Sequence, residues 1–140
     1  VMGDPRYYPY LKERTNAYWE KSQIAYHIFS QVDGLMINKT YGAFYMTVLF
    51  KENVLHKGQK LKPANREAGE IIQNIVDTPK LDKCFVYNLL ASRGICVVPL
   101  SSGFNSDLFG FRITLLEPDI KKFEKIMTEI AFAVKEYIAS

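Results

Sequence analysis

Two cysteines and two histidines are all that this chain of 140 residues offers as soft or borderline metal ligands. His27 and His56 stand apart from any cysteine or carboxylate at the spacing of a metal centre, which argues against a zinc site. Cys84 and Cys96 both lie in apolar patterns and are expected as buried thiols, with a disulfide or a reactive thiol as the alternative. None of the eight glycines belongs to a glycine-rich phosphate loop of Walker or dinucleotide-binding spacing. No apolar run approaches the roughly 20 residues needed to cross a bilayer, and the opening VMGDPRYYPY lacks the charged-then-apolar order of a secretory leader. A cytoplasmic protein with no membrane partner is the expectation. The net charge is only +3, and the lysines are interleaved with acids, so nucleic acid is not an expected partner either.

What is present is the composition of an ordinary folded domain: 48% hydrophobic and 24% charged residues, in a length that suits one domain over residues 1–140. Residues 9–32 carry no glycine and no internal proline, and Tyr10, Ala17 and Ile24 fall on one stripe beside Leu11, Tyr18 and Ala25. That spacing predicts a long amphipathic helix, closed by Asp33 and a left-handed Gly34. YGAFYMTVLF alternates Phe44, Met46, Val48 and Phe50 with Tyr45, Thr47 and Leu49, the pattern of a strand. Residues 51–63, rich in Lys, Gly and Asn, read as a mobile surface loop.

Two short helices follow. Ala64–Val76 places Ile71, Ile72, Ile75 and Val76 at helical spacing before DTP, and Leu81–Arg93 places Phe85, Val86, Leu89 and Leu90 likewise before Gly94. ICVVP predicts a second strand, LSSGFNSDLFG a loop, and FGFRITLL a third strand. The last helix begins near Pro118 and buries Ile120, Phe123, Ile126, Ile130, Val134 and Tyr137 opposite Lys121, Lys122, Lys125 and Glu129. The expected fold is α+β: a small, mainly antiparallel sheet of three strands, covered by helices on one side, with a long N-terminal helix.

Arg112 interrupts the third strand. Strand alternation puts Phe109, Phe111, Ile113 and Leu115 on one face and Gly110, Arg112, Thr114 and Leu116 on the other, so Arg112 points away from the helix-covered core. Two readings follow: a surface arginine on a solvated face, or a carboxylate clamp, for which a planar fork of donors is suited. Gly42, just before the first strand, is either a plain strand-start glycine or a place where something approaches the backbone closely.

GAFY at 42–45, LLASRGICVVPLSSGF at 89–104 and FRI at 111–113 occur in the order of the motifs G-[GA]-F-[FY], G-[IV]-x-V-x-P-G-x-x-F and F-R-[IL]. In this the chain resembles the C-terminal small domain of the class I/II aminotransferases of pyridoxal-phosphate fold type I. It departs from them at PLSSGF, where Leu100 and Ser101 stand near the P-G-S of many members. The resemblance implies that the first helix is the interdomain helix and that the chain is a fragment, catalytically inactive alone. It implies that Arg112 binds the α-carboxylate of an amino acid or 2-oxo acid substrate, and that the backbone of Gly42 borders that substrate. It further implies that pyridoxal 5'-phosphate is held by a large domain of the same chain, not by this fragment, and that the full-length enzyme is a homodimer. The rival expectation is a non-catalytic α+β module that binds small molecules or proteins on its open sheet face.

Overall fold

In the computed structural model, which describes residues 3–75 and 80–140, α1 (Tyr7–Ser30) tolerates Pro9 because the first helical turn has no carbonyl partner for its missing N–H. The helix ends at Ser30 with a right-handed cap at Gln31, earlier than expected. Gly34 takes its left-handed φ of +91° in the turn that leads into β1 (Leu35–Ile37), so it shapes the turn and does not cap the helix. No described side chain before Lys21 is buried, and Lys21, Ser22, Ala25 and Phe29 make the inward face. The expected stripe therefore packs only in its second half, leaving Tyr10 52% and Leu11 39% exposed.

β1 pairs antiparallel with β2 (Tyr45–Phe50), β2 with β4 (Gly110–Thr114), and β4 with β3 (Val98–Pro99), which makes one sheet in the order β1-β2-β4-β3. Four strands replace the expected three. The added strand is three residues long, too short for a period of two to show against its turn-forming neighbours. β3 is shorter than ICVVP suggests, because Pro99 has no N–H to give a ladder and sits on an edge strand.

The inner face of the sheet presents Met46, Val48, Phe50, Phe111 and Ile113, all buried. Over it lie α1, α3 (Leu81–Arg93) and α5 (Ile120–Ala139), so helices cover one side as expected. Phe85 of α3 joins the layers: its ring centroid is 5.3 Å from Phe50, 5.5 Å from Phe111 and 5.3 Å from Tyr137. Burying each such side chain stabilises the fold by about 1.5–3 kcal/mol. α3 has its predicted bounds, and Gly94 closes it at φ +67° with its N–H on the Leu90 carbonyl. α5 starts after Pro118, because Asp119 is the N-cap and accepts from the N–H of Lys121 at 2.9 Å and of Lys122 at 3.1 Å. Met127, Ala131 and Ala133 join its buried face, while Ile120 and Ile126 are half-buried.

Other expectations change. α2 (Arg66–Ile75) buries nothing: Ile71 is 53% and Ile75 44% exposed, since the helix packs on α3 and not on the sheet. Val76 and the DTP stop lie outside the described residues. The loop at 51–63 is anchored: the amide of Gln59, itself buried, donates to the carbonyls of Val54 at 3.1 Å and Ile138 at 3.4 Å, and the N–H of Leu61 donates to Asn88 at 3.0 Å. Cys96 is exposed and Cys84 only half-buried, and no disulfide joins them. Burial, with the Asp82 carboxylate adding to it, raises the pKa of the Cys84 thiol and keeps it protonated, which disfavours reactivity.

Candidate functional site

The face of the sheet away from the helices carries Met36, Tyr45, Thr47, Leu49, Val98, Arg112 and Thr114, in register across the four strands. Met36 is 50% and Val98 40% exposed, so this face is open in the chain as described. A groove of about 410 Å³ runs across it, lined by Met36, Asn38, Thr40, Tyr45, Thr47 and Leu49. Arg112 lies on the predicted face, half-buried, opposite Thr47 of β2 and Val98 of β3.

The guanidinium carbon of Arg112 sits 4.2 Å from the centroid of the Tyr45 ring and 4.0 Å from that of Phe104. Tyr45 reaches it from β2, as the diagonal neighbour across the ladder, and Phe104 from the stretch that follows β3. Both contacts are cation–π in kind, and neither uses an N–H of the guanidinium. Among the described residues no carboxylate pairs with Arg112 and no oxygen accepts a hydrogen bond from it. Its in-plane donors are available.

Phe104 is the C-cap of the short helix α4 (Leu100–Gly103), and its own N–H returns to the Leu100 carbonyl at 3.0 Å. That turn is fixed from below by Asp82 of α3, which is fully buried. The Asp82 carboxylate accepts from the backbone N–H of Ser101 at 2.9 Å, from the Ser101 hydroxyl, and from the N–H of Gly110 at 3.4 Å. One carboxylate thus closes both ends of the segment that carries Phe104. An acidic residue in the first turn of a helix is the ordinary complement of the helix dipole, and nothing in the sequence links Asp82 to residues beyond residue 100. Ser101 faces Asp82 and so is turned from the open face, whereas Ser102 is exposed. Asp82→Asn should cost about 1–3 kcal/mol, because an amide brings donors to face donors in a buried site. Chemical denaturation of the chain checks it, and an unchanged midpoint would remove Asp82 from this role.

Gly42 lies three residues before β2, beside a depression of about 220 Å³ whose walls include Tyr18, Trp19, Tyr41 and Phe44. Arg112 does not line it; the two candidate residues are not brought into one pocket by the described residues. A Cβ built at Gly42 would meet nothing within 4 Å. No packing among the described residues demands glycine there.

Asp119 caps the N-terminus of α5, and the Asp82 carboxylate accepts the Ser101 N–H in the first turn of α4, so these two helix starts already hold carboxylates of the chain. Lys39 and Lys57 are exposed, while Lys21 is buried with its ammonium donating to the Leu115 carbonyl at 3.3 Å. Among the described residues there is no cluster of His, Cys, Asp or Glu able to hold a metal, and no helix long and apolar enough to cross a membrane.

No family model matches the chain. The chain is similar to an uncharacterized aminotransferase of Methanocaldococcus jannaschii, with 44% identity over 138 residues. The match covers 99% of this chain and 32% of that protein, so the chain spans about a third of the length of the curated relative it matches.

Proposed function

We propose that this chain is the small domain of a class I/II aminotransferase of fold type I, in which Arg112 grips the α-carboxylate of an amino acid or 2-oxo acid. The observation that carries this reading is the guanidinium itself, held on an open sheet face against two rings with its in-plane donors unengaged among the described residues. The likeness to an aminotransferase over 99% of the chain supports it. A planar fork matches a carboxylate in two parallel hydrogen bonds, and a two-point grip fixes the orientation of the substrate as a single point charge does not.

Pyridoxal phosphate supplies the electron sink for such chemistry when bound. The described residues do not fit it: the first turns of α4 and α5 already hold carboxylates, and the one buried lysine among them donates to a carbonyl. The cofactor is therefore assigned to a large domain of the same chain, and the assembly to a homodimer. The exposed Tyr8, Tyr10, Trp19 and Leu116 form the kind of apolar surface that such a domain would cover.

The test is made on the substrate side, in the longer protein that contains this chain. An amino acid should be favoured over its own α-amide by a large factor, and Arg112→Ala should abolish most of that preference, since a neutral amide has no charge for the guanidinium to meet. Equal use of acid and amide by the unaltered protein would leave the non-catalytic binding module as the better reading.

A further inference from the structure

Resting on the carboxylate-clamp reading, we propose that Tyr45 and Phe104 are positioning residues: they hold the Arg112 guanidinium in one plane so that its donor edge is ordered before substrate arrives.

An arginine side chain has up to about 2 kcal/mol of rotamer freedom to lose when it is fixed in one geometry. On an open face, a guanidinium tethered only by its own stem would lose that freedom at the moment of binding, and affinity would fall accordingly. Here the loss occurs on folding. Two rings packed on the guanidinium at 4.2 and 4.0 Å narrow the orientations open to it, and its hydrogen bonds still run along its edge. A carboxylate or carbonyl partner from the chain would hold the plane too, but it would occupy the donors that the substrate needs. Aromatic faces hold the cation without consuming an N–H.

The supports come from separate places in the fold, and each is itself fixed. Tyr45 is set by the antiparallel register of β2 on β4, which puts Thr47 across from Arg112 and Tyr45 across from Thr114. Its ring is backed by Phe44 at 4.2 Å between centroids. Phe104 follows α4, whose Ser101 is held by the buried Asp82. Gly103, just before it, passes so close to Val98 that a Cβ would lie 2.7 Å from the Val98 Cγ1. Val98 is the β3 partner of Arg112, so the turn, the edge strand and the arginine are packed as one unit.

Two measurements test this, one on the arginine and one on the reaction. In nuclear magnetic resonance spectra, the Arg112 side-chain protons should be shifted upfield by the ring currents of Tyr45 and Phe104. Phe104→Leu and Tyr45→Leu should each remove part of that shift, while Phe104→Tyr and Tyr45→Phe keep it. In the longer protein, each leucine variant should raise KM for an amino acid about two- to thirtyfold, the equivalent of a cation–π contact of about 0.5–2 kcal/mol, with kcat nearly unchanged. The aromatic replacements should restore KM. Phe104 is 44% exposed, so its leucine variant leaves the core intact. If the leucine variants lose the shift yet keep the native KM while Arg112→Ala raises it, the positioning role is overturned and the clamp survives. If Arg112→Ala is itself silent, the clamp reading fails, whatever the rings do.

Discussion

Arg112→Ala, made in the longer protein, is expected to lower kcat/KM for an amino acid by about thirtyfold to several thousandfold, the equivalent of roughly 2–5 kcal/mol for removing one member of a hydrogen-bonded charge pair. Stability should change little, because the side chain makes no hydrogen bond or ion pair among the described residues and gives up only its ring contacts. Cofactor affinity should also be spared, since no part of the described chain fits that group. Arg112→Lys should recover a fraction of the loss: an ammonium restores the charge without the two parallel donors. The α-amide of the same substrate should respond weakly to either change. Loss of amino-acid activity together with cofactor affinity would point to a folding defect instead of a lost grip. A folded alanine variant with native kcat/KM would return Arg112 to a surface residue on a solvated sheet.

The face on which Arg112 lies was legible in the sequence, because FGFRITLL has a period of two and its apolar half had to face the helices. What surrounds the guanidinium was not. Tyr45 reaches it diagonally across the β2–β4 ladder, and that register is a property of two strands together; neither strand states it alone. Phe104 comes from a serine- and glycine-rich stretch that reads as loop, and its placement depends on Asp82, a residue indistinguishable in sequence from any acid in the first turn of a helix. Helices were read well where a core-facing stripe set their bounds, as in α3. α2 shows the converse: Ile71 and Ile75 keep helical spacing while standing 53% and 44% exposed, because periodicity tells which residues share a face and not what the face meets. β1 is too short for its period to show, and Cys96, though set in an apolar pattern, stands exposed outside the two residues of ICVVP that pair.

Two glycines separate packing from function. At Gly110 an added Cβ would lie 2.4 Å from the Val48 carbonyl oxygen, 2.8 Å from the Leu100 Cδ1 and 3.1 Å from the Leu49 Cα. Leu100 could rotate aside, but the two backbone atoms belong to the neighbouring strand, paired in register as Leu49 with Gly110 and Val48 with Phe111. Gly110→Ala therefore has to spread β2 from β4 in the centre of the sheet. We expect a loss of about 3 kcal/mol, the upper part of the range for overpacking, and a fall in Tm of roughly 10 °C for a domain of this size. Gly42→Ala is the counterpart: with nothing within 4 Å of its Cβ, stability should hold within about 0.5 kcal/mol. If the backbone at Gly42 borders the substrate, as proposed, that same variant should lower kcat/KM in the longer protein. Thermal unfolding of both variants beside the unaltered chain makes the comparison. A Tm for Gly110→Ala within 2 °C of the native value, a small fraction of the roughly 10 °C expected, would show that the strands do not approach there as described. Native kcat/KM in a stable Gly42→Ala variant would leave Gly42 as a strand-start glycine and place the weight of the site on Arg112 and its two rings.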